Sequence, residues 1–392
     1  MGAAGIIVEY NPLHSGHLRL LEAGRAALGP DTAMVCVMSG NFVQRGDYAL
    51  LRKHARARAA VESGADLVLE LPLPWAVSSA EGFAAGGVQA LAATGVVEHL
   101  LFGSECGDVS ALERVAAALL APSFRDRLRE VLPGAVSFAA ARQRALTGLL
   151  PEEDAALLES PNNILGIEYC KAILHRHAAL TPLALPRLGA AHGGGAGAHA
   201  GTPMASASFL RGLPQPDWEP FVPTRAAELY GRAAADGLLL DGARLETAVL
   251  ALLRMQDPAN FAQVRGVSEG LENRLTASVR EADSLDDLYT RLKTKRYPHA
   301  RLRRLVLDAA LGFPAELPMP PYLHVLGARK AALPRLKQAS LPAATALADL
   351  ARTGPEAAKI SRLHNKAVDF SSLCREKIQP MGLAFTAKPV VI

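Results

Sequence analysis

Residues 5–17 read Gly5-Ile6-Ile7-Val8-Glu9-Tyr10-Asn11-Pro12-Leu13-His14-Ser15-Gly16-His17, and three structural signals follow one another within them. The first residues are an apolar, β-branched run, which is the composition of a strand. Asn11-Pro12 breaks that run. From residue 17 to 28, Leu20, Leu21, Gly24, Ala27 and Leu28 recur at helical spacing on one apolar or small face. A strand, a break and a helix in that order open a parallel α/β sheet, whose ligands bind outside the carboxyl ends of the strands. A helix N-terminus at that place offers N–H groups and a positive dipole to phosphate. His14 and His17 are three apart, so both can face one phosphate chain and donate to oxygens on which charge builds. Gly16 lets backbone or a base approach without a Cβ in the way. Two surface histidines beside a cap would carry the same letters; the position directly after the first strand favours chemistry.

The alternation continues through the first half. Residues 33–38 are a second strand. Residues 52–64 are a polar-faced helix ending at glycine. Residues 66–71 are a third strand, stopped by Pro72 and Pro74. A helix over 79–94 and a fourth strand over 97–102, ending at Gly103, complete a parallel pattern with helices on both faces. Residues 109–149 read as mostly helical, and 161–177 as a helix starting at Pro161-Asn162-Asn163. A strand over 183–188 is placed at an edge by Pro186. Residues 192–201 are glycine-rich and read as a mobile loop. Residues 205–213 look like a short helix start. After Pro214-Gln215-Pro216 strand signals become few and the tail less regular. The expectation is an α/β, Rossmann-like domain with a parallel sheet over 1–215, followed by a mostly helical domain over 216–392.

A chain of 392 residues is long enough for two or three domains of about 100–200 residues each. Hydrophobic residues at 50% and charged residues at 20% exclude a largely disordered chain. No apolar run approaches the ~18 residues of a membrane span. The N-terminus lacks a basic region, and Glu9 and Asn11 interrupt its apolar stretch, so it reads as a strand rather than a signal peptide. Cys36, Cys106, Cys170 and Cys374 are scattered, without a CxxC pair. That speaks against a disulfide framework or zinc ribbon and fits a reducing cytoplasm. A net charge of +4 is too mild to establish a nucleic-acid partner by itself.

Two further segments carry charge where chemistry would use it. In Ala205-Ser206-Ala207-Ser208-Phe209-Leu210-Arg211, Ser206 or Ser208 can cap a helix and contact phosphate. Arg211, about one turn on, is a bidentate cation for β- or γ-phosphate. The stretch from Arg291 to Arg304 holds no acidic residue. Its Lys293, Lys295, Arg296, Arg301, Arg303 and Arg304 can contact RNA phosphates, and Tyr297 can stack a base. An ordinary cap and a solvated helix face are the alternatives for these two segments.

His14-x-Gly16-His17 with a late Ser-x-x-Arg resembles the nucleotidyltransferase α/β-phosphodiesterase superfamily. More closely, the chain resembles the bacterial tRNA(Met) cytidine acetate ligase family through GIIVEYNPLHSGH, VMSGNFVQRGD, GADLVLELP, LFGSECGD, SPNNILGIEY and LKTKRY, in that order. The first 190 residues match best. Beyond about residue 310 the match is loose, apart from Lys359-Ile360-Ser361-Arg362, which is not taken as a lysine loop because Ser208–Arg211 fills that slot. The resemblance implies that acetate attacks the α-phosphate of ATP, giving acetyl-adenylate and pyrophosphate. The acetyl group then passes to the exocyclic amine of the wobble cytidine of elongator tRNA(Met), giving N4-acetylcytidine.

The residues implied for ATP are Ile7, Val8, Glu9, Tyr10, Asn11, Pro12, Leu13, His14, Ser15, Gly16, His17, Leu18, Arg19 and Leu20, with Gly103, Asn162 and Arg187; Ser206 and Ser208 join them through the cap segment's own reading as phosphate contacts. His14, His17 and Arg211 are the implied catalytic groups. The basic segment is implied for the tRNA. Leu188 departs from the polar residue expected beside Arg187. Mg2+ is expected to bridge the phosphates, with no protein ligands assigned. Glu70 is either a magnesium ligand or a structural charge. Gln44 and Arg45, after the second strand, are candidates for the acetate pocket or for closing over ATP. No membrane partner is expected, and no oligomeric state is assigned. Two alternatives remain. A small-molecule adenylyltransferase shares both motifs, but the basic helical domain argues against it. A non-catalytic RNA-binding protein is opposed by the intact His14, Gly16 and His17.

Overall fold

The computed structural model describes residues 2–135, 137–186, 196–199, 202–268, 270–295 and 297–392. In chain order, the elements that matter for the site are β1 (Ala3–Val8), α1 (Ser15–Leu28), β2 (Ala33–Ser39) and a hairpin of β3 (Phe42–Val43) and β4 (Asp47–Tyr48). Then come α2 (Lys53–Glu62), β5 (Leu67–Leu71), α3 (Ala80–Ala93), β6 (Val97–Ser104), α4 (Pro161–Arg176) and β7 (Thr181–Pro186). A ribbon of β8 (Gly197–His199) and β9 (Thr202–Met204) precedes the short α5 (Ala207–Arg211). The second half contains α6 (His299–Leu311), β10 (Leu323–Ala328), β11 (Ala343–Ala344), α7 (Pro355–Leu373) and β12 (Val390–Val391).

The main sheet runs β11-β10-β5-β2-β1-β6-β7, with β12 also paired to β10. From β5 to β7 every pairing is parallel. The chain winds outward from β1 through β2 to β5, then returns to the other side of β1 with β6. That reversal places a topological switch point between β1 and β6, where a crevice opens at the carboxyl ends of the strands.

Burial explains the strand sequences. Every residue of β2 is buried, so Ala33–Ser39 shows no polar alternation. Its side chains still divide by face: Val35 and Val37 pack with Phe83, Val88 and Leu91 of α3, while Met34, Cys36 and Met38 pack with Leu21 of α1 and Val61 of α2. The expected edge strand is β7, at the outer end of the parallel set.

From residue 216 to β10 the chain is mostly helical, but an apolar core separate from the sheet forms over 245–313, with Val249, Leu253, Leu275, Leu288, Leu302 and Phe313. Trp218, Val222, Ala226 and Tyr230 pack instead with Ile6, Val8 and Leu21 of the first half, so the expected boundary at 216 does not coincide with a boundary between cores. Phe42 and Tyr48 of the β3–β4 hairpin belong to this second core. The tail then returns to the main sheet: β10 pairs antiparallel with β5, and β11 and β12 pair parallel with β10. Sequence reading saw only a less regular tail there, because β10 is six residues long and includes His324 and Gly327. Of the expected glycine-rich loop, 192–195, 200 and 201 lie outside the described residues.

Candidate active site

The turn after β1 is held together by its two histidines. Tyr10 takes a left-handed φ of 49° and starts the turn. His14 is the N-cap of α1, with extended backbone. Its Nδ1 accepts from the Gly16 N–H at 3.1 Å, and His17 Nδ1 accepts from the His14 N–H at 3.3 Å. This reciprocal arrangement is a capping box made from histidines in place of the usual Ser and Glu. The rings stack with centroids 3.7 Å apart, and Tyr10 meets His17 edge-on at 5.0 Å. A ring whose Nδ1 accepts carries its neutral-state proton on Nε2. Each ring therefore carries an Nε2–H donor at the N-terminus of α1, chemistry suited to a developing oxyanion.

A cavity of about 590 Å³ opens in front of this turn, at the β1/β6 switch point. Ile7, Val8, Glu9, Tyr10, Asn11, His14, Gly16, His17, Arg19 and Leu20 line it, together with Gly103, Asn162, Ser206, Ser208 and Arg211. Arg211 reaches the floor of the turn: its Nη1 donates to the Asn11 carbonyl at 2.7 Å, and its Nη2 lies 3.3 Å from Ser208 Oγ. Ser206 caps α5 by accepting from the Phe209 N–H. Glu9 lines the cavity and accepts from the Gln44 N–H at 2.8 Å. Burial pushes its carboxyl above the usual range, against the opposing pull of the Gln44 N–H and Arg211.

A family model of HIGH nucleotidyl transferases matches residues 1–382. A tRNA(Met) cytidine acetate ligase of Acetivibrio thermocellus is 32% identical over 419 aligned positions, covering 100% of both chains. The chain belongs to the tRNA(Met) cytidine acetate ligase family. The namesake protein of Alkaliphilus metalliredigens is 36% identical over 327 positions, covering 79% of this chain and 77% of its own. The crystal structure of Thermotoga maritima TmcAL bound with alpha-thio ATP superposes with a TM-score of 0.90 at 30% identity, covering 100% of this chain and 99% of that one. The apo form of the same protein gives a TM-score of 0.92 at 31% identity, covering 100% of both chains.

Within this acetate ligase family fold, several members of the 7–20 stretch stand behind the cavity wall instead of lining it. Leu13 is fully buried and its N–H donates to the Tyr230 hydroxyl; Ser15 Oγ donates to the Phe221 carbonyl. Pro12 is buried, and neither it nor Leu18 lines the cavity. Asn11 is buried as well, and its side-chain amide is used internally, donating to Tyr48 O and accepting from Leu50 N–H. Asn162 reaches the cavity with its amide donating to Glu105 Oε1 at 2.6 Å. Glu105, which sequence reading did not single out, also accepts from the N–H groups of Asn162 and Asn163 at the start of α4. Burial opposes its charge, but the Asn162 side chain and these N–H groups hold its carboxyl below the usual range. Arg187 and Arg296 lie outside the described residues.

The loop after β2 does reach the cavity: Val43, Gln44, Arg45 and Asp47 are in its wall, and so is Arg303 of α6. Arg304 Nη1 contacts the Gln44 carbonyl at 3.3 Å, and burial lowers the Arg304 guanidinium to about 10. Lys293, Lys295 and Arg303 are exposed. Tyr297 corrects the expectation of a base-stacking ring. It is buried in the helical core, and the Arg301 guanidinium lies over its ring at 4.5 Å from the centroid. Glu70 is likewise no magnesium ligand. Its Oε2 takes Lys53 Nζ and His324 Nδ1, each at 2.7 Å, and Oε1 faces His364 Nε2 at 3.1 Å. These partners surround it away from the cavity.

Sequence reading also missed Arg56. It lies in a helix that reads as polar-faced, yet it is fully buried. Its guanidinium donates to the carbonyls of Glu9, Ser39 and Gly40, and Nε to that of Leu51. It thereby ties the end of β2 to the end of β1, which lines the cavity. Burial lowers it to about 10, so it stays a cation at neutral pH. Main-chain acceptors leave no mark on sequence, so no motif could have announced this contact.

Proposed function

We propose that this chain is an ATP-dependent ligase that activates acetate as acetyl-adenylate and acetylates the wobble cytidine of elongator tRNA(Met). The observation that carries the reading is the histidine capping box at the mouth of a cavity large enough for a nucleotide. Family membership and the tRNA(Met) named for the relatives support the substrate.

Acetate lacks a good leaving group; adenylation supplies one. In the first step a carboxylate oxygen attacks the α-phosphate and pyrophosphate departs. His14 Nε2 and His17 Nε2 donate to phosphate oxygens as charge develops there. Arg211, held against the Asn11 carbonyl, carries a fixed positive charge for the β- and γ-phosphates. Gly103, at the end of β6, allows the nucleoside to lie against backbone, and Asn162 offers its amide to a base edge or ribose hydroxyl. Mg2+ would neutralise phosphate charge, and Glu9, a carboxylate in the cavity wall, is the residue that would hold it alongside the substrate phosphates. In the second step the cytidine amine attacks the acetyl carbonyl and AMP leaves. The region over 216–392 binds the tRNA, with Lys293, Lys295, Arg301, Arg303 and Arg304 meeting phosphates. Such an enzyme works in the cytoplasm.

Incubation with ATP, Mg2+, labelled acetate and either elongator or initiator tRNA(Met), read by nucleoside mass spectrometry, tests this. N4-acetylcytidine in the elongator tRNA alone, lost in His17→Ala, is the expected result. Pyrophosphate exchange that depends on another acid or on a phosphorylated metabolite, with no acetylcytidine, would overturn it.

A further inference from the structure

The cavity has two sides, and only one is accounted for by nucleotide binding. The histidine turn, β6 and α5 form the first. The second is made of the 43–47 turn and Arg303 of α6. This side is assembled from both halves of the chain. Gly46 sits at φ 72° with its α-carbon against the α6 backbone at Arg303 and Arg304, so closely that a Cβ would collide with main-chain atoms. Arg304 reaches back to the Gln44 carbonyl. The turn is thus seated on the basic helix, and Asp47 and Arg303 are presented to the cavity as one fixed pair.

That pair is open. Asp47 Oδ1 accepts from the Tyr48 N–H at 2.9 Å, which fixes the carboxylate's orientation. Its Oδ2 stands 3.9 Å from Arg303 Nη1, too far for a direct hydrogen bond. Both side chains are partly exposed, at 37% and 44%. A carboxylate and a guanidinium held just beyond bonding distance, at the rim of a nucleotide cavity, match a nucleotide edge. The carboxylate accepts from an exocyclic amine, and the cation takes the flanking phosphate. Glu9, the other carboxylate in the wall, is less suited, because it lies at the end of β1 beside the phosphate-facing turn with Oε1 occupied by Gln44 N–H.

We propose that Asp47 and Arg303 form the acceptor-nucleoside subsite; this rests on the function proposed above. Asp47 accepts a hydrogen bond from the cytosine N4 amine. Arg303 holds a phosphate next to that nucleoside. As the N4 lone pair forms the new bond to the acetyl carbon, the bond from that carbon to the adenylate oxygen breaks. Its electron pair leaves with AMP, and the N4 proton passes to Asp47 Oδ2. Uracil presents a carbonyl where cytosine presents the amine, and a carboxylate repels it. The same residue that takes the proton therefore selects the base.

The test separates the two half-reactions. Acetate-dependent ATP–pyrophosphate exchange reports adenylation. Transfer from preformed acetyl-adenylate to elongator tRNA(Met) reports the second step. Asp47→Asn keeps the acceptor for the Tyr48 N–H and so preserves the hairpin. It is expected to lower transfer roughly hundredfold and exchange far less. Asp47→Glu restores part of the rate. Arg303→Ala is expected to raise the KM for tRNA roughly tenfold with a smaller effect on kcat. Asp47→Asn acting equally on both half-reactions, or on neither, overturns the subsite while leaving the proposed function standing. A wild-type protein that performs neither half-reaction overturns the proposed function itself, and the subsite with it.

Discussion

His14 and His17 each do two things through two different nitrogens. Nδ1 accepts a backbone N–H at the start of α1, Nε2 carries the ring's donor, and both residues line the cavity. The roles can be separated by measurement. His17→Ala is expected to cost about 1 kcal/mol of stability through the lost cap. Exchange is expected to fall by about two to three orders of magnitude through the lost donor. A purely structural histidine would give the first change, read by denaturant unfolding, without the second. Arg211 makes a similar distinction from lysine. Its fork spans the Asn11 carbonyl and Ser208 Oγ, and an ammonium cannot hold both while meeting phosphate. Arg211→Lys is therefore expected to raise the KM for ATP and slow exchange by roughly tenfold. Steady-state exchange kinetics would show it, and an unchanged KM would remove Arg211 from the phosphate site. At this scale the sequence singled out His14, His17 and Arg211, which the fold brings to one cavity. It was silent on Arg56, whose partners are carbonyls, and misleading on Tyr297, whose aromatic ring serves the core.

Among elements, the parallel strands β1, β2, β5 and β6 were legible because each is a short apolar run bounded by Gly, Pro or Asn. The position of β7 at an edge followed from Pro186. β10–β12 were not legible: their pairing partners lie far away in the chain, and pairing leaves no local pattern. The contact of the 43–47 turn with α6 was hidden for the same reason, although it joins the cavity to the basic helix. Gly46 is the element-level hinge of that contact. With φ at 72° and α6 backbone where a Cβ would go, Gly46→Ala must distort the turn or lift it from the helix. A loss of about 1–3 kcal/mol in thermal or denaturant unfolding is expected, with a larger fractional loss of tRNA acetylation than of exchange. Gly134, which meets nothing within 4 Å of a built Cβ, is the control expected to accept alanine within about 0.5 kcal/mol.

Over the whole molecule, the tail is locked to the first half by a buried charge cluster. Glu70 of β5 meets Lys53 of α2, His324 of β10 and His364 of α7, all nearly without solvent contact. Removing one member strands another charge, so Glu70→Gln is expected to cost about 3–5 kcal/mol. The cluster also sets the response to acid. Burial and the nearby Lys53 charge lower His54 to about 3, and burial lowers His364 as well, against the pull of Glu70. Burial alone would raise the Glu70 carboxyl, but His364 and Lys53 hold it well below its usual range. The signs agree. A histidine whose folded pKa is depressed binds fewer protons in the folded state, so its contribution is intact above the unfolded value of about 6.5 and is lost as pH falls below it. A depressed carboxylate adds a second loss, beginning near pH ~4. Melting temperature is therefore expected to fall steadily once pH drops below about 6.5. His54→Gln, which no longer takes up a proton on unfolding, should show a shallower slope there. Melts that stay level from neutral pH down to about 5 would mean that these histidines titrate alike in the folded and unfolded chain, and that the lock between the halves rests on packing alone.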